Sequence, residues 1–178
     1  AFTAIEGDDK ATVTARRKTN AHQRDRRGQQ ILSLALDPGA LATPVAAEMA
    51  VIEALPDDTT QAVAEKARRF EGLERAGTTE RARLAADAWC AAFVAVKTAD
   101  HPAITDDTVR PAGEDPAGLT PEQRAAIEDL SAEYQFLHWH LAFPQIYTVD
   151  LATSGGDTGW RGGFDLILGN PPWETMSP

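Results

Sequence analysis

Cysteine is almost missing from this chain: Cys90 is the one thiol among 178 residues. A lone thiol excludes an internal disulfide and any cysteine-built zinc cluster, and it fits a reducing, cytoplasmic setting. Long apolar runs are missing too. No stretch approaches the ~20 residues needed to cross a bilayer, so no membrane partner is expected. Residues 1–10 carry neither a basic start nor an apolar core, and do not read as a secretory signal. No methionine opens the chain, which runs from Ala1 to Pro178 and stops just past its most informative segment. The expectation is an excerpt of a longer protein. Repeats of fixed period are absent. Positive charge is scarce: 17 Lys and Arg against 27 Asp and Glu leave a net charge of −10. That balance argues against wrapping nucleic acid by charge alone.

The scarce positive charge is gathered in one place. Arg16, Arg17, Lys18, Arg24, Arg26 and Arg27 cluster near the N-terminus, with Asp25 the only acid among them. A solvated helix face is the leading reading of the cluster, and a phosphate-contacting patch the minority one. Apolar residues make up 43% of the chain, enough for a core, and the length suits one ordinary domain or a piece of a larger one.

Most of the chain reads as helix. Residues 10–36 form a polar helix that turns apolar at Ile31, Leu32, Leu34 and Leu36, before Asp37-Pro38-Gly39 breaks it. Thr43-Pro44 then has the form of a cap followed by proline at the first helical position. Val45, Met49, Ile52 and Leu55 follow at helical spacing. Pro56-Asp57-Asp58 ends that helix. Asp58 and Gln61 would cap the next, with Val63, Ala67, Phe70 and Leu73 as its buried stripe. A long helix is expected over 79–98, with Trp89 and Phe93 in the core and Cys90 as a small buried hydrophobe. Residues 99–119, rich in Pro, Gly, Asp and Thr, read as a surface loop. Thr120-Pro121-Glu122-Gln123 opens a further helix carrying Ile127, Leu130, Tyr134 and Leu137. From His138 the character changes: residues 138–149 are aromatic-rich, 153–163 glycine-rich, and 164–168 strand-like. The expected fold class is therefore a mainly α fragment with a C-terminal parallel-sheet strand. Leu166-Ile167-Leu168 is apolar on both faces, as a covered central strand requires. Asn170 would stand at the carboxyl end of that strand, where open α/β sheets bind ligands.

Asn170-Pro171-Pro172-Trp173 is the segment whose groups suit chemistry on a flat, amino-bearing ring. Asn170 offers a carbonyl acceptor and an amide donor. Two prolines stiffen the turn, hold Asn170 extended and remove two backbone donors. What remains is lined with acceptors beside the π-face of Trp173, and stacking a base on such a ring contributes ~1–3 kcal/mol. Two carbonyl acceptors can take both N–H bonds of an exocyclic amine. That draws the nitrogen out of conjugation and frees its lone pair for attack on an electrophilic methyl. No covalent enzyme intermediate is needed, so the shortage of nucleophiles is no objection. A base in a duplex must be flipped out to reach such a turn.

This segment resembles the catalytic motif of amino-methyltransferases that use S-adenosylmethionine. The longer pattern, residues 138–147 (His-Trp-His-Leu-Ala-Phe-Pro-Gln-Ile-Tyr) followed after a glycine-rich gap by 163–174 (Gly-Phe-Asp-Leu-Ile-Leu-Gly-Asn-Pro-Pro-Trp-Glu), is similar to large adenine-specific DNA methyltransferases. These are the type IIG restriction–modification and BREX phage-defence methylases. Residues 85–93 resemble a helix that precedes this block in the same group, and the basic stretch at 16–27 is compatible with their helical insert. The resemblance implies a Rossmann-like α/β parent. Residues 1–137 would be a helical insert, and 138–178 an incomplete part of the catalytic domain. It also implies that Asn170 and the Pro171 carbonyl accept from adenine N6 while Trp173 stacks on the flipped base. The partners implied are duplex DNA and restriction or phage-defence subunits.

The family binds S-adenosylmethionine through a glycine-rich turn after its first strand, and no such turn follows an apolar strand here. Gly155-Gly156 and Gly162-Gly163 come before the strand-like run. The cofactor site is thus expected outside this chain, and the chain alone is expected neither to bind the cofactor tightly nor to methylate. His138 and His140 lack a third ligand nearby, so packing or hydrogen bonding is their expected role and no metal is expected. Glu174 reads as a loop carboxylate. Trp160 and Arg161 read as exposed loop residues, with DNA contact as the alternative. Two other functions remain open: a methylase of RNA bases or protein glutamine, which shares the short motif with tyrosine in fourth position, and a non-catalytic helical interaction module.

Overall fold

The computed structural model describes residues 4–29, 38–149 and 160–169. Its elements in chain order are α1 (Lys10–Gln29), α2 (Pro38–Glu53), α3 (Thr60–Glu74), α4 (Gly77–Val94), α5 (Asp106–Glu114), a 3-10 turn (Pro116–Gly118), α6 (Pro121–Tyr134), α7 (Trp139–Ala142), β1 (Tyr147–Val149) and β2 (Trp160–Gly162).

Helix α4 is the centre. Its Ala88, Ala91 and Ala92 are buried with Ile104, Ala112, Leu119 and Ile127 in the main core. Small residues on α4 let α5 and α6 approach closely. At Gly113 of α5, a side chain would come within 2.8 Å of a Leu41 methyl and 3.3 Å of the Ala85 methyl, so a larger residue there would make the Leu41 side chain shift. A second core joins α2 to α3 through Val45, Met49, Ile52 and Leu73.

α1 is mainly polar: it buries Val13 and is otherwise held by polar contacts spread along its length. Asp9 caps it, accepting from the Thr12 N–H and hydroxyl at 2.7 Å each. Arg16 Nη2 donates to the carbonyls of Thr98 at 2.7 Å and His101 at 2.6 Å, and Nη1 donates to Pro102 O at 3.4 Å. Arg26 pairs with Asp107 at 3.3 Å. Beneath these contacts lies a buried ion pair, Lys97 and Asp8, with 3.9 Å between Nζ and Oδ2. The Lys97 ammonium also donates to Ala95 O at 2.8 Å, and the Lys97 N–H to Asp8 Oδ1 at 2.7 Å. Burial pushes the Lys97 pKa down. Burial opposes ionisation of Asp8 as well, but the Ile5 and Lys97 N–H groups and the charges of Lys97 and Arg16 hold its carboxyl below the usual range.

The main correction concerns the C-terminal strand. Among the described residues no parallel strand is present, and 164–168 is not a strand. The β structure is a short antiparallel ribbon, with Tyr147 opposite Gly162 and Val149 opposite Trp160. Leu166, Ile167 and Leu168 are 71%, 76% and 86% exposed, the reverse of a covered central strand. A strand apolar on both faces needs paired neighbours and two covering layers, and the described helices provide neither.

Smaller corrections have local causes. α2 begins at Pro38, a residue that needs no donor at the first position, so Pro44 lies inside the helix instead of opening it. Thr59, not Asp58, caps α3, accepting from Ala62 N at 3.1 Å. In α3 only Leu73 is buried; Val63 and Phe70 are exposed along an open groove shared with Met49 and Ile52 of α2. α4 ends at Val94, where Ala95 turns extended. The expected loop at 99–119 contains α5, begun by Thr105 with Asp106 and Asp107 in its first turn. Thr108 Oγ1 accepts from Thr105 N at 3.3 Å and from Gln123 Nε2 at 3.1 Å. Pro111 in α5 and the short prolyl turn that follows are what made the stretch read as loop. The apolar end expected for the first helix, Ile31 to Leu36, lies outside the described residues. Among the described residues no helix is long and apolar enough to cross a membrane.

Candidate functional site

The catalytic residues expected from sequence, Asn170, Pro171, Pro172 and Trp173, lie outside the described residues, as does Glu174. The structure does describe what leads to them, and three separate sequence stretches meet there.

The first is α4. Asp87 is a buried carboxylate on its inner face, one turn before Cys90. Burial, and then the Asp87 charge, push the Cys90 thiol pKa up, so Cys90 is a poor nucleophile at neutral pH.

The second stretch runs from 134 to 147. α6 ends at Gln135, which adopts a left-handed conformation with φ of 49° and turns the chain back across α4. His138, just before α7, donates from Nε2 to Asp87 Oδ1 at 2.6 Å, with both side chains nearly buried. A carboxylate oxygen accepts in such a pair, so this hydrogen bond places a proton on Nε2. Tyr134, Phe136, His138 and His140 follow one another as a ladder of rings with centroids 6.0–6.4 Å apart. Burial lowers the His140 pKa, and His138 lowers it further. Among the described residues no group of three or more His, Cys, Asp or Glu could hold a metal.

The third stretch is 160–169. β2 pairs with β1, and its last residue, Gly162, and the following Gly163 have φ of 84° and 141°, values that favour glycine. A side chain on Gly162 would collide with the Ile146 carbonyl oxygen. The turn delivers Phe164 edge-on to three rings: Phe143 at 5.3 Å, Trp139 at 5.5 Å and Tyr147 at 5.7 Å. Trp139 and Phe143 stack at 5.8 Å. Phe164 is half-buried, and residues 165–169 beyond it are exposed.

The structure therefore brings His138, Trp139 and Phe143 together with Phe164. It does not bury Trp89 and Phe93, the pair expected in the core. They are 58% and 45% exposed, in edge contact at 5.7 Å, on a side of α4 that no described element covers. Asp87 is the residue that sequence reasoning missed. The signal available was a lone acid on the otherwise apolar face of residues 84–93. The basic cluster is partly consumed inside the fold, because Arg16 and Arg26 are engaged with residues 98–107.

Nothing described fits S-adenosylmethionine. The α2–α3 groove is mainly apolar, with Glu53, Asp57 and Lys66 among its lining, and the residues from Gly163 to Gly169 form no helix whose N-terminus could face a ligand. Comparison with family models, with curated proteins and with solved structures finds no match for this chain.

Proposed function

We propose that this chain carries the amine-holding element of an adenine-specific DNA methyltransferase of the restriction–modification or phage-defence kind. The observation that supports the reading most is spatial. The three stretches that carry the resemblance, 85–93, 138–147 and 163–169, are far apart in sequence, yet they converge through the Asp87–His138 hydrogen bond and the contacts of Phe164. A helical interaction module with an incidental tail has no need of this convergence.

In this reading Asn170 and the Pro171 carbonyl accept the two N–H bonds of adenine N6, and Trp173 stacks on the everted base. Both prolines keep the acceptors fixed, so little reorganisation accompanies the reaction. S-adenosylmethionine, the methyl donor the reading requires, is held by residues other than those described.

The test uses the complete protein that carries this chain, isotope-labelled S-adenosylmethionine, and duplex DNA, RNA and protein as competing acceptors. Label on N6 of adenine in duplex DNA is the expected result. Label on RNA or on glutamine moves the assignment to those methylases, and no label on any acceptor removes it. Removing one acceptor from a buried donor costs ~1–3 kcal/mol. Asn170→Ala should therefore slow transfer by roughly five- to 150-fold while DNA binding stays nearly unchanged. Wild-type rates in that variant overturn the assignment of Asn170. The purified chain by itself is expected to show no turnover.

A further inference from the structure

The scarce positive charge of this chain has its densest run on α1. Seven of the 17 Lys and Arg fall within residues 10–27, where Asp25 is the only acid. Two of the seven are spent on the helical body: Arg16 on the carbonyls of Thr98, His101 and Pro102, and Arg26 on Asp107. Val13, Arg16 and Asn20 mark the side of α1 that faces that body. Lys10, Arg17 and Lys18 share a stripe outside that side, spread over about 100° of the helix, and all three are exposed.

The other helices cancel their exposed charge locally. Arg69 pairs with Glu65, Arg110 with Glu114 and Arg124 with Glu128, each one turn away. On α1 the positions three and four from Lys10 and Lys18 hold Val13, Thr14, Ala15, Ala21 and His22, with no acid among them. The stripe therefore presents net positive charge on a chain whose total is −10. Cations in line on a rigid helix match a linear polyanion. Thr14 and Ala21 lie between them, so the stripe has no large apolar side chain with which to enter a bilayer. We propose that this stripe of α1 binds the phosphate backbone of duplex nucleic acid, a contact that positions the chain without reading sequence. The acidic remainder repels the same polyanion and confines the contact to this face. The inference does not depend on methyl transfer.

The test is the fluorescence anisotropy of a short labelled duplex of arbitrary sequence, titrated with the purified chain over a range of salt. Duplex DNA and duplex RNA are run in parallel, because both carry the phosphate chemistry. Three contacts predict a logarithmic slope of about −2.7 and an affinity loss of about 40-fold between about 50 and 200 mM salt. Lys10→Ala/Lys18→Ala removes two contacts at exposed positions and should cut the slope to about −0.9. Lys10→Arg/Lys18→Arg should keep it. Arg68→Ala/Arg75→Ala takes the same net charge from α3, where Glu65 and Glu71 pair with these arginines, and should leave the slope unchanged. If the alanine pair fails to fold, Lys10→Gln/Lys18→Gln takes its place. The expected slope with either duplex supports the proposal. A wild-type slope near zero with both, or equal losses in the α1 and α3 variants, overturns it. So does tighter binding to phosphatidylserine vesicles or to a polyglutamate peptide than to either duplex. A complete protein that methylates no acceptor overturns the methyltransferase reading and leaves this inference standing.

Discussion

At the scale of single residues, burial decides what the polar side chains can do. Asp87 is buried beside His138, and a buried acceptor left without its donor costs ~1–3 kcal/mol. His138→Ala should lower stability by that amount, read from denaturant midpoints. The same carboxylate helps raise the Cys90 thiol pKa, second to burial itself. Asp87→Asn should therefore shift the alkylation profile of Cys90 to lower pH; an unmoved profile would show that burial alone sets it. Ile127 is fully buried among the alanines of α4, and truncation to Ala should cost ~2–5 kcal/mol in thermal or chemical unfolding.

At the scale of elements, helix ends carry the local information. Thr120 accepts from Gln123 N at 3.2 Å while Gln123 Oε1 accepts from Thr120 N at 3.2 Å, and Pro121 takes the first position. Thr120→Ala should cost ~0.5–2 kcal/mol, checked by equilibrium unfolding. This helix was legible from four residues because the capping box, the proline and the apolar spacing agree. α5 was not legible: Pro111 and Gly113 within it, and Pro116 and Gly118 just after it, mark a loop to any local reading, whereas its packing against α4 and its contacts with Gln123 and Arg26 come from distant residues. Trp89 and Phe93 misled for the opposite reason. Their spacing of four fixes a helix face, but which face is covered depends on distant elements. Asp87 stood out only as an acid on an apolar face, and its partner, 51 positions away, was not legible. The segment from 138 to 143 adds a pH response. His140 has its pKa lowered below the ordinary 6.5, so its contribution to stability is present above that value and is lost as pH falls through the lowered one. Asp8 and Asp9 have lowered carboxyl values, so their contribution is present above 3.8 and is lost below it. Acid titration should loosen the aromatic ladder first, seen in the proton NMR signals of the His138 and His140 rings, and release α1 only at lower pH, seen in circular dichroism.

At the scale of the whole molecule, an acidic helical body carries an uncovered apolar segment, Leu166 to Leu168. Replacing these three with serine should reduce binding of a hydrophobic dye such as ANS and leave the melting temperature within about 2 °C, since the exposed side chains contribute little packing. An unaltered dye signal would point instead to the Val63–Phe70 groove. The contacts of Arg16 have a further consequence, for the order of assembly. They join positions 82–86 residues apart, and α1 has little apolar surface of its own with which to form early. Short polar helices are marginal in isolation, and closing so large a loop waits until both ends are presented. The N-terminal helix is therefore expected to join late during folding. It should condense after the polypeptide near Thr98 has taken shape, and Arg16→Ala should accelerate its release in unfolding experiments more than it slows the collapse of the remaining helices.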